Sequence, residues 1–169
     1  FATIFILTLF YYTIFVESLP IVERCQKQEA STNDSILIWI DSSKNKSLGY
    51  KRRKAYLNKA YETFKNTTNH TSKVDDLTKI AFAYYRLNDS INFRVVNRHA
   101  ISVSVRLHDS LNLANNYWDL GNFYSKNAIK DSAYFYYFNA QKIYENIGND
   151  FYSGRMLLNM AIMQSDIKD

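Results

Sequence analysis

The sequence has few of the residues that interrupt helices or cross-link chains. It contains one cysteine (Cys25), one proline (Pro20) and four glycines in 169 residues. A single cysteine excludes a disulfide within the chain and a cysteine-rich metal site. With so little glycine and proline, the tight turns of a β-sandwich or barrel lack their usual residues. The composition therefore favours an all-α chain.

Motifs of catalysis and metal binding are also absent from the sequence. It has no Gly-rich phosphate loop, Gly-x-Ser-x-Gly elbow or His-Glu-x-x-His. His70 lies in a polar segment, and His99 and His108 fall on opposite sides of one predicted helix. The adjacent acids Asp75 and Asp76 are typical of a first helical turn, where the helix dipole favours them. The sequence predicts a non-enzymatic protein with no cofactor and no metal site.

Aromatic and basic residues, by contrast, are plentiful. The 14 Tyr and 11 Phe fall mostly at helix-face spacings, which indicates core positions rather than a stacking platform for bases.

Much of the net charge of +5 lies in one basic cluster. Its members are Lys44, Lys46, Lys51, Arg52, Arg53, Lys54 and Lys59. We favour a solvated helix face, and the alternative is a patch for nucleic acid, anionic lipid or an acidic partner. No helix-turn-helix or RNA-binding signature accompanies the cluster, so no nucleic-acid role is predicted for this segment.

The stretch from Asn112 to Ile147 has the pattern of a helical hairpin. Two runs, in each of which apolar or aromatic residues recur every three or four positions, flank a polar break at 126–130. The residues that share a face are Leu113, Tyr117, Leu120 and Tyr124 in the first run, and Ala133, Tyr137, Ala140 and Tyr144 in the second. Asp131 and Ser132 predict the start of the second helix, because a side-chain oxygen there can accept an unpaired backbone N–H.

The same kinds of residue recur at an interval of 40 positions. Ala81, Gly121 and Ala161 form one such series, and Tyr84 precedes Tyr124 by the same interval. Further series are Leu77, Tyr117 and Leu157; Ile80, Leu120 and Met160; and Ala60, Ala100 and Ala140. Several series in one register predict a stack of helical hairpins.

The block Leu120-Gly121-x-x-Tyr124, followed by Ala133 and Ala140, resembles the signature of tetratricopeptide (TPR) repeats. The period is longer than the usual TPR length of about 34 residues and falls within the HEAT range of about 40–47. A HEAT repeat, however, would be expected to carry a proline in its first helix. The resemblance implies an all-α, TPR-like helical-hairpin solenoid over residues 35–169, with a repeat of about 40 residues. Its signature residues would be Ala81, Tyr84, Ala100, Leu120, Gly121, Tyr124, Ala140 and Ala161.

The resemblance also implies a concave peptide-binding surface lined by the first helix of each hairpin. The positions that usually face this groove carry aromatic anchors, amides for a peptide backbone and cations for a carboxylate. They are Phe82, Tyr85, Arg86, Asn115, Trp118, Asn122, Lys126 and Arg155. Asn122 matches one position of the carboxylate clamp of chaperone-binding TPR domains, but Trp118 stands where that clamp has a lysine. For Trp118 and Tyr85, packing against neighbouring repeats is the open alternative.

Residues 1–16 carry no charge and are almost wholly apolar or aromatic. The segment is shorter than the roughly 20 residues of a membrane-spanning helix and suits the core of a signal peptide. We expect an N-terminally truncated signal peptide or membrane anchor at 1–18 and a linker at 19–34, with a buried helix as the alternative. The last predicted helix, 151–166, has no partner helix, so we also expect C-terminal truncation.

The resemblance implies a scaffold that binds a protein or peptide ligand. The chain is similar to the sensor regions of bacterial envelope signalling proteins. Those proteins end in a histidine kinase or a DNA-binding regulator. Such a module would lie on the periplasmic side of the cell envelope. The N-terminal segment or a missing C-terminal helix would hold it to the membrane. The alternative is a cytoplasmic TPR regulator that binds a signalling peptide or a partner protein.

Overall fold

The computed structural model describes residues 34–66 and 74–165, which form helices joined by short turns. Helix α1 covers 34–44. It is followed by α2 (Tyr50–Lys65), α3 (Val74–Arg86), α4 (Ser90–Arg106), α5 (Ser110–Lys126), α6 (Lys130–Asn146) and α7 (Asp150–Ser165). Neither described range contains a strand, so the all-α prediction is confirmed. Asp34, at the end of the predicted linker, is already helical, whereas the segment 1–18 and the rest of the linker lie outside the described residues.

Four of the turns between helices share one conformation. In each, the second residue after the helix has a positive φ: Asn88 (60°), His108 (55°), Ala128 (57°) and Gly148 (70°). The N–H of the following residue donates to the carbonyl five residues earlier, as from Asp89 to Tyr84 at 3.0 Å. This is the Schellman arrangement, which pairs the last carbonyls of a helix. Because the four turns are 20 residues apart, α4, α5, α6 and α7 begin at 90, 110, 130 and 150.

The start of α6 differs from the sequence prediction. Helix α6 begins at Lys130, after Ile129, with no side-chain cap, so the predicted entry at Asp131 and Ser132 is wrong. The backbone bonds of the preceding turn set this start, and Asp131 lies in the first turn, where the dipole still favours its charge. Side-chain caps occur instead at Asp89 and Asp109, which accept from the backbone N–H three residues on.

The core lies between helices that are adjacent in the chain. The most extensive contacts are α3 with α4, α5 with α6 and α6 with α7, and α3 also contacts α5. One apolar cluster extends from α1 to α5 and includes Phe64, Tyr84 and Phe93. A second extends from α5 to α7 around Tyr137 and Met156.

Most of the predicted signature positions are buried. Those with little or no exposure are Ala81, Tyr84, Ala100, Leu120, Gly121 and Ala140. Tyr124 is half-buried and stacks on Tyr136, with ring centroids 5.3 Å apart. Ala161 is exposed, because no helix within the described ranges covers that side of α7.

Gly121 permits a close approach between α5 and α6. A Cβ atom at this position would lie 2.5 Å from both Cδ1 and Cε1 of Tyr137. Tyr137 is buried, and its hydroxyl donates to Oδ1 of Asn122 at 2.9 Å, so the ring has little freedom to move aside. The ring of Tyr137 therefore fills the space that the glycine leaves. Tyr137 lies one helical turn before Ala140, which is fully buried.

We expect Gly121→Ala to lower the free energy of unfolding by about 1–3 kcal/mol, because the methyl group overpacks the contact with Tyr137. Gly154→Ala is the matched control, since nothing lies within 4 Å of a Cβ at that position in α7. It should be neutral or should stabilise by about 0.5–1 kcal/mol through helix propensity. Urea unfolding of both variants measures the difference. An equal change in the two would contradict the close approach.

Asp89 joins α2 to the turn before α4. Its buried carboxylate accepts from Lys54 Nζ at 2.8 Å, from the Tyr50 hydroxyl at 3.1 Å and from Asn92. Burial raises the pKa of Asp89, but the hydrogen bonds from Lys54 and Asn92 outweigh burial and leave the pKa below its ordinary value. The ionised form is therefore favoured in the folded protein.

Asp109 provides a matched comparison, because it caps α5 through Asn112 and has no ionic partner in the described part of the chain. We expect Asp109→Ala to cost about 1 kcal/mol of stability. Asp89→Ala should cost about 1–3 kcal/mol more, because it also removes charged hydrogen bonds. The extra cost should shrink as pH falls below the ordinary carboxyl pKa of about 3.9, where the unfolded chain takes up a proton, and it should vanish only below the lower pKa of folded Asp89. Thermal or urea unfolding of both variants at pH 7 and pH 3 measures these losses of stability. If Asp89→Ala and Asp109→Ala lost the same stability at pH 7, the role of the α2 contacts would be contradicted.

Candidate peptide-binding surface

The eight residues predicted to face a ligand lie on alternate helices. Helix α3 carries Phe82, Tyr85 and Arg86; α5 carries Asn115, Trp118, Asn122 and Lys126; and α7 carries Arg155. The structure brings most of them into pairs with each other or with residues of a neighbouring helix. Arg86 is the exception and borders a cavity that Phe82 also lines.

Phe82, Tyr85 and Lys126 form a cluster that joins α3 to α5. The rings of Phe82 and Tyr85 stack with centroids 6.0 Å apart, and Phe82 is 40% exposed. Lys126 Nζ lies 5.6 Å from the centre of the Tyr85 ring and donates to Oδ1 of Asn88. A cavity of about 300 Å³, with Phe93 on its wall, opens beside Tyr85 and Lys126. The cluster thus presents aromatic surface together with a cation.

Trp118 and Arg155 form a second cluster, between α5 and α7. The guanidinium carbon of Arg155 lies 5.2 Å from the Trp118 ring, and Tyr152 packs against the same ring at 5.5 Å. Arg155 is exposed and Trp118 is half-buried. Trp118 and Tyr85 therefore both pack against neighbouring helices while keeping part of each ring at the surface.

Asn115 and Asn122 are held by tyrosines of α6. The hydroxyl of Tyr144 donates to Oδ1 of Asn115 at 2.6 Å, and that of Tyr137 donates to Oδ1 of Asn122 at 2.9 Å. Each amide keeps an Nδ2 donor that has no partner within 34–66 and 74–165. These side chains can therefore donate to a peptide carbonyl through Nδ2, while a tyrosine hydroxyl takes one of the two acceptor positions of each Oδ1.

Asp119 is a candidate functional residue that the sequence pattern did not reveal. It lies four residues after Asn115 and three before Asn122, which puts it on the same side of α5. Its side chain is 9% exposed and has no hydrogen-bond or ionic partner in the described part of the chain. Burial raises the pKa of Asp119 to about 7. The carboxyl can hold or release a proton near neutral pH, and in its ionised form it would accept from an amine or guanidinium.

The basic cluster of the sequence divides into separate roles in the structure. Lys54 pairs with Asp89, and Lys59 Nζ lies 4.8 Å from the centre of the Trp39 ring. Lys51 and Arg52 are exposed. The remaining three, Lys44, Lys46 and Arg53, border the same cavity as Arg86.

Among the described residues, no group of three or more His, Cys, Asp and Glu side chains is placed to hold a metal ion. No helix in those ranges is both long enough and apolar enough to cross a bilayer. His99 packs edge-on against Phe64, and its Nδ1 lies 3.1 Å from the Tyr61 hydroxyl, so it belongs to the packing between α2 and α4.

We expect Asp119→Asn to change how stability depends on pH. An ordinary carboxyl has a pKa of about 3.9, so between about pH 4 and 7 folded Asp119 holds a proton that the unfolded chain has lost. Wild-type protein should lose stability as pH rises through this window, and the loss should be complete above pH 7. At pH 8 the Asn variant should be more stable by about 2–4 kcal/mol, and below pH 4 the two should be alike. Urea unfolding from pH 4 to 8 measures both, and parallel pH profiles would contradict the burial of an uncompensated carboxyl.

The chain was also compared with known proteins. Scans against protein-family models, curated proteins and solved structures each found no match.

Proposed function

We propose that this protein is a helical-repeat scaffold that binds a peptide or protein partner on the surface formed by α3, α5 and α7. The observation that carries the proposal is the pairing of partly exposed aromatic rings with cations across successive alternate helices. Lys126 meets Tyr85 between α3 and α5, and Arg155 meets Trp118 between α5 and α7. Partly exposed aromatic and arginine side chains are the residues that dominate protein-binding surfaces.

The chemistry of this surface suits an extended peptide. Phe82 and Trp118 offer apolar contact area, and the Nδ2 groups of Asn115 and Asn122 can donate to backbone carbonyls. Buried Asp119 lies on the same side of α5 and can accept from a cationic group. No step of this function requires bond making or breaking, so the proposed role is binding without catalysis and without a cofactor.

The proposed architecture is a TPR-like solenoid with a repeat of about 40 residues. Equal spacing of the turns and the burial of Ala81, Gly121, Ala100 and Ala140 support it. In such an array the first helix of each hairpin lines one surface, which corresponds to α3, α5 and α7 here.

In this proposal the scaffold is the extracytoplasmic sensor part of a larger bacterial signal-transduction protein. The uncharged apolar segment 1–16 supports export or anchoring, and ligand binding would bias the packing of the repeats and so an attached output module. The alternative is a cytoplasmic TPR regulator that binds a signalling peptide or partner protein. Cell fractionation of the full-length protein separates the two.

Phe82→Ala and Phe138→Ala make a matched test of the binding surface, because the two rings are 40% and 42% exposed and lie on α3 and α6. We expect a fluorescent peptide library to yield ligands whose affinity falls about tenfold or more in Phe82→Ala, as for an anchor residue. The Phe138→Ala variant should bind as wild type. Fluorescence anisotropy gives the affinities. Equal weakening in both variants, or none in either, would contradict the proposed surface.

A further inference from the structure

A cavity of about 730 Å³ opens between α1 and α3. Four apolar side chains form part of its lining: Leu37 and Ile40 from α1, and Phe82 and Ala83 from α3. Leu37 is 43% exposed and Phe82 is 40% exposed, so this apolar surface is open to a ligand. The volume lies within the range of about 300–1,000 Å³ that is usual for ligand sites.

Five cationic side chains border the same cavity, and they come from three helices and one turn. They are Lys44, Lys46, Arg53, Lys79 and Arg86. Among the described lining residues Asp41 is the one carboxylate, and it pairs with Lys44 at 3.2 Å. These lining residues carry a formal charge of +4, from five cations and one anion. Positive charge therefore predominates at this cavity.

The cations differ in how far their charge is already compensated. Lys79 pairs with Asp75 on the surface of α3, and Arg53 Nε donates to the carbonyl of Ser43 at 2.7 Å. Lys46 and Arg86 are exposed and have no carboxylate partner among the described residues. These two side chains are the ones best placed to take an incoming anion.

We propose that this cavity binds an acidic peptide segment that carries one apolar or aromatic side chain. The apolar side chain enters against Leu37, Ile40 and Phe82, and the flanking carboxylates lie against Lys46 and Arg86. Charge complementarity selects the ligand and speeds its encounter, while burial of the apolar side chain slows its release.

The arrangement favours a peptide over a nucleic acid. A nucleic-acid strand is usually bound by cations that follow its backbone and by several rings that stack on its bases. Here the cations encircle a cavity, and Phe82 is the one aromatic ring on its described lining, beside aliphatic side chains. A peptide with one apolar side chain between acidic residues matches this lining better than a run of nucleobases does.

This inference rests on the proposed function, since it names the ligand class for one end of the peptide-binding surface. The test uses the full chain and a fluorescein-labelled ten-residue peptide made of glutamates with one central phenylalanine. Three competitors are compared with it: the same peptide with glutamine for glutamate, the same peptide with serine for phenylalanine, and a single-stranded DNA. Affinity is measured by anisotropy at two salt concentrations.

The cavity variant is Lys46→Gln with Arg86→Gln. The control variant is Lys51→Gln with Arg52→Gln, which removes two exposed cations of the same cluster that do not border the cavity. Each double variant lowers the net charge of the protein by two, so a general charge effect would weaken binding alike in the two. Unfolding curves check that both variants fold as the wild type does.

We expect the acidic peptide to bind about tenfold or more weakly to the cavity variant. Its affinity for the control variant should stay within about twofold of wild type, because charges in direct contact with a ligand contribute more than charges farther away. Replacing the central phenylalanine should weaken binding about tenfold, and higher salt should weaken binding further.

Absence of binding, or equal losses in the cavity and control variants, would overturn the inference. Tighter binding of DNA through Lys46 and Arg86 would also overturn it, because the cavity would then recognise phosphate. If peptides bind with a requirement for Phe82 but without preference for glutamate over glutamine, the proposed function stands and this inference is wrong. If no peptide binding depends on Phe82, both fail.

Discussion

The requirement that a buried phenol hydroxyl find an acceptor organises much of this structure. Tyr84, Tyr137 and Tyr144 fill the space between helices, and burial raises the pKa of each above its ordinary value. Each hydroxyl donates to an asparagine carbonyl on a neighbouring helix, namely Asn58, Asn122 and Asn115 respectively. An unpaired hydroxyl at these depths would be costly. The same contact therefore packs the core and sets the orientation of two amides on the candidate binding surface.

Much of the fold could be predicted from the sequence because apolar spacing reports which side of a helix is buried. The four residues predicted to share a face in the second run of the hairpin, Ala133, Tyr137, Ala140 and Tyr144, are all buried. The turns were harder to predict, since a positive φ usually indicates glycine or asparagine. His108 and Ala128 adopt it without such a signal, and the start of α6 was placed wrongly for that reason.

The site could be predicted only to the level of which helices carry it. The resemblance to TPR repeats implied that Asn115, Trp118 and Asn122 face one side of α5, but tertiary partners decide what each can do. Sequence alone did not show that tyrosines of α6 donate to the amide carbonyls, or that Asp119 has no hydrogen-bond or ionic partner within 34–66 and 74–165. Lys46 and Lys54 belong to one basic run, yet they end in different environments, beside a cavity and against Asp89. Such outcomes depend on distances between elements far apart in the chain.

The regular turns have a consequence for how this chain can change in length. Helices α4, α5 and α6 each have 17 residues, and the turns that follow them are equally long. One residue inserted within a helix would rotate every later side chain by about 100° and move Tyr137 or Met156 away from the core. One residue inserted in a turn would break the backbone bonds that end the helix. In the proposed solenoid, a gain of one helix and its turn would exchange the roles of the two alternating sets of helices. A change of length that keeps both the turns and the proposed packing would therefore add or remove a whole hairpin.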